Sequence, residues 1–233
     1  MTDNKGTRRH LFFDLDNTLT RSRSKITPEM HSLLQSLPHD IVVISGASVE
    51  QIRHQLDDLP VYYMGQNGNH TVYGDSELWL DALTPEEGSE IRTHIASLPR
   101  TWEVPDEGDL IEDRGCQLSY SIYGHHAPVA EKEAFDPDQK KRRALLDASP
   151  LESDTIEVKI AGTTTLDYFK RGKNKGHNVM RLIEHLGWDK GECLYFGDAL
   201  FPGGNDETVI GVIDTQAVTD PADTYARLQA MRE

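Results

Sequence analysis

Short, fully apolar runs alternate with longer mixed stretches along this chain, and that rhythm sets the expected elements. His10 to Phe13 is an apolar run that ends in acidic and turn residues, the pattern of a buried strand feeding a loop. Thr27-Pro28-Glu29 then opens a helix, with Thr27 as N-cap, Pro28 at the first helical position and an acid in the first turn. Met30, Leu33 and Leu34 give that helix one apolar face. Ile41 to Ile44 reads as the next buried strand and runs into Ser45-Gly46-Ala47-Ser48. A helix carrying Val49, Ile52 and Leu56 follows, then a third strand over Val61 to Met64. Such alternation predicts a parallel sheet with right-handed crossovers, whose loops gather ligand-binding residues at one sheet edge.

The middle of the chain has a different texture. From Leu83 to Tyr168 the pattern predicts a helix, alternating strand-like residues over Gln117 to Tyr123, a basic helix around Lys140 to Leu146, and strands over Thr155 to Ile160 and Thr163 to Phe169. Alternation of this kind predicts an antiparallel sheet with one wetted face. The run Lys140-Lys141-Arg142-Arg143 reads as the solvated face of its helix. After Gly172 the first pattern resumes, with a helix from Lys175 to Leu186 and an apolar strand, Cys193 to Phe196, leading into Gly197-Asp198. The expected fold class is α/β. A doubly wound parallel-sheet core over residues 1–82 and 172–233 is interrupted by an inserted α/β cap over 83–171 that contains an antiparallel sheet.

Composition narrows the function classes. With 233 residues, 37% of them hydrophobic, the chain can build its core without staples. A net charge of −15 repels phosphate backbones and anionic membranes, so neither nucleic acid nor membrane is an expected partner. Any phosphate site must then be a local exception made of a few cations, backbone N–H groups or a metal. Cys116 and Cys193 are too few and too far apart for a disulfide scaffold or a zinc pair. No apolar run approaches the roughly 18 residues of a membrane span, and the first residues lack a signal-peptide core, so a cytoplasmic location is expected.

The candidate chemistry begins with Asp14 and Asp16, two apart at the end of a strand. If the chain stays extended there, both carboxylates point to one side, and a divalent cation relieves their repulsion. Magnesium, which takes hard oxygen ligands and keeps phosphate oxygens in its shell, suits the pair. One carboxylate can attack phosphorus while the other moves protons at the bridging oxygen, and the Thr18 hydroxyl can bond a phosphate oxygen. Taken alone, the segment reads as well as a polar turn. Taken singly, Ser45, Lys175, Asp198 and Asp206 read better as turn residue, solvated lysine, helix cap and turn. A lysine at a helix start is nevertheless unfavourable unless an anion is near. All four follow a core strand or open a core helix, and that order points to one shared site.

On those residues the chain resembles the haloacid dehalogenase superfamily of phosphotransferases over nearly its whole length. Asp14-Leu15-Asp16-Asn17-Thr18 looks like its first motif, Ser45-Gly46 its second, Lys175 its third, and Gly197-Asp198 with Asn205-Asp206 its fourth. The insertion stands where the cap of the Cof-like (type IIB) branch belongs. The loop from Gly197 to Glu207 resembles that of eukaryotic-type phosphomannomutases, as do Thr18 to Thr27 and Ile111-Glu112-Asp113-Arg114. The resemblance implies Asp14 as nucleophile and Asp16 as general acid/base. It implies Mg2+ held by the Asp14 side chain, the Asp16 backbone carbonyl and the Asp198 side chain, with Asp206 in the same acidic set. Lys175, Thr18, Gly46, Asn205 and either Ser45 or Ser48 would surround the transferring phosphoryl. Arg23, Arg114, Thr165 and Asp167 would grip the sugar and its distal phosphate. Two further cap arginines of the mutases appear here as His125 and Lys132, which lack the bidentate fork and imply a weaker or differently aimed hold. Asparagine stands at 17 in place of the usual glycine, and tolerates the left-handed backbone that glycine would supply.

The leading expectation is a sugar-phosphate phosphomutase in which Asp14 carries a phosphoryl between the two ends of a hexose phosphate such as mannose 1- and 6-phosphate. The resemblance adds a hexose bisphosphate activator and a homodimer through the cap. A sugar-phosphate phosphatase on the same scaffold stands beside it, because the two share every core residue. A DxD glycosyltransferase would leave Lys175 and Gly197-Asp198 without a task. A sugar-phosphate-binding module without activity would have no need of every catalytic position.

Overall fold

A computed structural model describes residues 8–232. The chain divides into two compact units, one formed by residues up to Leu80 and from Lys173 onward, the other by Asp81–Gly172. The first unit opens with strand β1 (His10–Phe13), helix α1 (Pro28–Ser36), β2 (Asp40–Ile44), α2 (Val49–Gln55) and β3 (Tyr62–Gly65), followed by β4 (His70–Tyr73) and β5 (Ser76–Leu80). The second unit contains α3 (Pro85–Ser97), β6 (Ile111–Asp113), β7 (Gln117–Ser121), α4 (Val129–Phe135), α5 (Lys140–Ala148), β8 (Ile156–Ala161) and β9 (Thr165–Lys170). The chain then returns with α6 (Lys175–Leu186), β10 (Cys193–Gly197), β11 (Asp214–Ala217) and α7 (Pro221–Ala230).

Local chemistry starts the helices where expected. The Thr27 side chain accepts from the Met30 N–H at 3.3 Å, Pro28 stands at the first position, and Met30, Leu33 and Leu34 are buried. Ser48 and Gln51 form a reciprocal capping box at the start of α2. Asn174 caps α6 by accepting from the His177 N–H at 3.0 Å, and Gly187 in the left-handed region closes that helix.

The strands of the first unit form one sheet in the order β11-β10-β1-β2-β3-β4-β5. β1 lies at the centre of its parallel part, with Phe13 opposite Val43 on β2 and Phe196 on β10. Its side chains serve two cores. Leu11 and Phe13 pack in one cluster with Met30, Leu33, Ile52 and Leu228; Phe12 packs in another with Val42, Val179, Leu182 and Ile183. Burial on both faces explains why these strands read as unbroken apolar runs. The hairpin of β4 and β5 extends β3 in antiparallel fashion, so the sheet is mixed rather than purely parallel. The sequence pattern does not single it out, because both strands are short, mix polar with apolar residues and turn at Gly74-Asp75, where Gly74 adopts a φ of 56°.

The second unit is built on a four-stranded antiparallel sheet in the order β6-β7-β9-β8. Ile91 and Ile95 of α3 and Leu145 of α5 pack with Leu118, Tyr120, Leu166 and Tyr168 of the sheet. Here one expectation fails. The basic run on α5 is not wholly solvated, because Arg142 is 1% exposed. It shares an inward face with Leu145 one turn on, and its donors find acceptors there. Its Nε donates to Asp136 Oδ2 at 2.7 Å, and one terminal nitrogen donates to the carbonyls of Ala161 (2.7 Å), at the end of β8, and Gly162 (3.0 Å), in the turn that leads to β9. A buried guanidinium persists only when paired and hydrogen-bonded in this way. Among the described residues, no helix is long and apolar enough to cross a membrane.

Candidate active site

Strand register assembles the site. Asp14 follows β1 and donates its N–H to Phe196 O at 2.9 Å, which sets it level with the end of β10. Ser45 follows β2, tied by its N–H to Met64 O at 3.0 Å, and Asp198 follows β10. Three neighbouring parallel strands thus deliver Asp14, Ser45 and Asp198 to the same carboxyl edge, where open α/β sheets bind ligands.

Lys175 is the first residue of α6 and is 1% exposed. Its ammonium pairs with Asp14 Oδ1 and, at 2.7 Å, with Asp206 Oδ1. Two carboxylates offset both its burial and its unfavourable place on the helix dipole. Asp206 is itself fully buried. Its Oδ1 accepts from Lys175 and from the Tyr195 hydroxyl at 2.6 Å, while Oδ2 faces the Ala199 N–H at 3.3 Å. The carboxylate lies so close over the end of β10 that a Cβ on Gly197 would sit 2.3 Å from Oδ2. Gly197→Ala must therefore displace Asp206. We expect kcat to fall at least about tenfold, with stability lowered by about 1–3 kcal/mol; turnover and urea unfolding measured together would check both.

Burial pushes the Asp14 carboxyl up to about 7; Lys175 opposes the rise, while Asp206 and Asp198 reinforce it. The Asp198 carboxyl is raised by burial and by Asp206. The Tyr195 hydroxyl is driven far up by burial and by the same acidic neighbours. Asp14, Asp198 and Asp206 each offer a carboxylate oxygen, and these oxygens lie within 4.8 Å of one another. One ammonium leaves that set with surplus negative charge in a desolvated place. An all-oxygen donor set of this kind fits a hard divalent cation. Thr18 adds a second mark of ligand binding: its Oγ1 is buried and has no hydrogen-bond partner among the described residues. Such a hydroxyl costs about 1–3 kcal/mol until an acceptor such as a phosphate oxygen reaches it.

Asp16 stands outside the acidic cluster. Its Oδ1 accepts from the Arg23 N–H at 2.8 Å and from Gln55 Nε2 at 3.2 Å. Asn17 adopts the left-handed backbone, φ 62°, and its side chain hydrogen-bonds Asp198. Arg23 is exposed and also left-handed, φ 55°. Ser45 Oγ accepts from the Ala47 N–H at 3.2 Å, whereas the Ser48 oxygen is committed to capping α2. Gly46 has room for a Cβ, whose nearest neighbour would be the Asn67 side chain at 3.9 Å. Asn205 is exposed.

In the second unit, Arg114, His125, Lys132 and Asp167 fall into one polar cluster. Arg114 pairs with Glu112 Oε2 at 2.6 Å, and His125 Nδ1 lies 3.5 Å from the same oxygen. His125 Nε2 is 3.0 Å from Ser119 O, and Lys132, 6% exposed, donates to His125 O at 2.8 Å. Ser119 donates to Asp167 Oδ1 at 2.6 Å across the β7–β9 pair, and burial raises the Asp167 carboxyl. Thr165 lies on β9 and donates its hydroxyl to Ala161 O at 2.6 Å.

A family model described as haloacid dehalogenase-like hydrolase matches residues 11–208. The chain belongs to this family. Among curated relatives, phosphomannomutase 2 of Dictyostelium discoideum is 29% identical over 98% of this chain and 97% of its own length. The phosphomannomutase of Spinacia oleracea is 27% identical over 91% of each. A phosphatase of the haloalkanoate enzyme superfamily from Bacteroides thetaiotaomicron superposes with a TM-score of 0.70 over 100% of this chain and 97% of its own, at 13% identity. That likeness shows the fold. Two participants in this hydrolase-family site escaped sequence reading, Gln55 beside Asp16 and Tyr195 beside Asp206. Tyr195 carried a usable signal: a tyrosine inside an otherwise apolar buried strand needs a partner for its hydroxyl. Gln55 carried none, since a glutamine at a helix end is ordinary.

Proposed function

We propose that the chain is a magnesium-dependent phosphoryl-transfer enzyme acting on sugar phosphates through an aspartyl phosphate on Asp14, interconverting hexose 1- and 6-phosphates in the manner of a phosphomannomutase. The carrying observation is Asp14 itself, buried at the carboxyl end of the central strand and clustered with Lys175, Asp198 and Asp206. The near full-length similarity to phosphomannomutases supports the sugar phosphate as substrate class.

In this reading an Asp14 carboxylate oxygen attacks phosphorus, and Asp16 gives a proton to the bridging oxygen that leaves with the sugar. Asp16 then takes the proton back from the incoming hydroxyl as that oxygen attacks the phosphoaspartate and frees Asp14. Lys175 and Thr18 hold the phosphoryl oxygens, joined by Ser45 rather than the capping Ser48, by the Gly46 backbone and by Asn205. Asp14, Asp198 and the Asp16 carbonyl would hold Mg2+; Asp206, with Oδ1 engaged by two donors, has only Oδ2 to offer. When bound, Mg2+ neutralises charge on the transferring phosphoryl. We further propose that the Asp81–Gly172 unit is the specificity cap, with Arg114, His125, Lys132, Thr165 and Asp167 recognising the sugar and its distal phosphate; Arg23, in the core unit, is a further candidate for sugar recognition.

One observation favours a second reading, a sugar-phosphate phosphatase. Arg114 is already paired with Glu112, and Lys132 is turned to a backbone carbonyl, so the cluster offers less cationic charge to a distal phosphate than three arginines would. A panel of hexose phosphates with Mg2+, assayed for isomer formation and phosphate release in one tube with and without a hexose bisphosphate, separates the two. Isomerisation stimulated by the bisphosphate supports the mutase, phosphate release without isomer supports the phosphatase, and inertness toward the whole panel overturns both. Adding Mg2+ at about 100 times its Kd should stabilise the protein by about 2.7 kcal/mol. Asp198→Asn should abolish most of that gain, as thermal unfolding with and without EDTA would show.

A further inference from the structure

We propose that Tyr195 is a positioning residue for phosphoryl transfer, its hydroxyl fixing Asp206 so that Asp206 holds Lys175 against Asp14; the inference rests on the reading of Asp14 as phosphoryl carrier. Tyr195 lies on β10, two residues before Gly197, and is completely buried. It packs in the apolar cluster with Phe12, Val179 and Leu182. Nothing in that packing needs an oxygen, since phenylalanine would fill the same space. The hydroxyl instead donates to Asp206 Oδ1 at 2.6 Å, the same oxygen that accepts from Lys175 at 2.7 Å.

The geometry explains why a second donor matters. Lys175 sits between two carboxylates, so the place of its ammonium depends on where each of them is held. The Asp206 carboxylate lies over Gly197, whose missing Cβ leaves that side to Asp206 Oδ2 and the Tyr195 ring, and its Oδ2 contact with the Ala199 N–H is long at 3.3 Å. The short bond from Tyr195 is therefore the contact that sets the rotation of the carboxylate, and with it the place of the ammonium. Tyr195 reaches the reacting groups only through Asp206, since its hydroxyl is engaged there. Its loss should disturb the held phosphoryl rather than the grip on the sugar.

Tyr195→Phe removes one oxygen from an otherwise unchanged shape. We expect kcat to fall about tenfold, the scale of a hydrogen bond to a charged group, with KM for the sugar phosphate within about twofold of wild type. Binding of beryllium trifluoride with Mg2+, a mimic of the phosphoaspartate read by 19F NMR, should weaken by about the same factor. In an Asp206→Asn background the Tyr195→Phe change should cost little more, because the two act in series. Replacing Tyr195 by 4-aminophenylalanine, which keeps an N–H donor at that place, should restore most of the loss and serves as the second variant if Tyr195→Phe folds poorly. Wild-type kcat in Tyr195→Phe, a loss confined to KM, or a fall in thermal stability without a fall in kcat or in beryllium trifluoride binding would overturn the proposal. A wild-type protein inert in every phosphotransfer assay would instead overturn the parent reading.

Discussion

Asp14→Asn is expected to lower kcat by at least about 10^4-fold, the scale on which removing a covalent nucleophile acts. The amide oxygen is a poor nucleophile toward phosphorus, and in the proposed site Asp198 is taken up by the cation. Asp16 is outside the acidic cluster, and Asp206 is occupied by Lys175 and Tyr195. The fold should survive. One of three crowded carboxylates is removed, while Lys175 keeps its pair with Asp206. In EDTA the variant should therefore be at least as stable as wild type, and in Mg2+ it should gain less. Incubation with radiolabelled sugar phosphate should leave acid-stable label on the wild type and none on the variant. Label retained by Asp14→Asn would move the nucleophile elsewhere.

Lys175→Met should have the largest effect on stability. It leaves Asp14 and Asp206 facing each other in a desolvated site, and breaking a buried pair in this way costs about 3–5 kcal/mol. The loss should depend on pH in a definite direction. Metal-free, Asp14 already has its carboxyl pushed up to about 7, from 3.8, despite the opposing pull of Lys175. A carboxyl with a higher pKa folded than unfolded binds its proton more tightly in the folded state. The stability it contributes is fully present below the unfolded value and is lost as pH rises through the folded value. Without Lys175 that window extends upward, so in EDTA the gap between variant and wild type should widen from pH 5 to pH 8. Urea unfolding across that range reads the gap directly. Magnesium should narrow it at pH 8, because the cation compensates the charge that the lysine balanced.

The parts of this molecule that could be read from the chain are those written in one short stretch. β1 and β10 announce themselves through short contiguous apolar runs, α1 through a cap and a proline, and α6 through a cap and an apolar face. Asp14, Lys175 and Asp198 could be placed because each sits next to such an element. What stayed illegible depends on partners far away in sequence. The β4–β5 hairpin is held by pairing with β3 more than by its own composition. Arg142 looks like any surface arginine until Asp136 and the β8–β9 turn are folded around it. Asp16 and Asp206 are both acids beside turns, and only the fold shows that one faces Arg23 and Gln55 while the other takes Lys175 and Tyr195.

The central position of β1 also shapes how the protein can be made. Its partner on one side, β2, begins 30 residues after it, while its partner on the other, β10, begins 183 residues after it. At 5–20 residues per second, ribosomal synthesis leaves one edge of β1 unpaired for on the order of 10–40 s. During that interval an apolar strand presents a free row of N–H and C=O groups, the kind of edge that seeds aggregation. Lys175, Asp198 and Asp206 emerge late as well, so the nascent chain carries Asp14 without the residues that cluster with it. A holding chaperone should favour this stage, and any release of catalytic activity should coincide with the docking of β10.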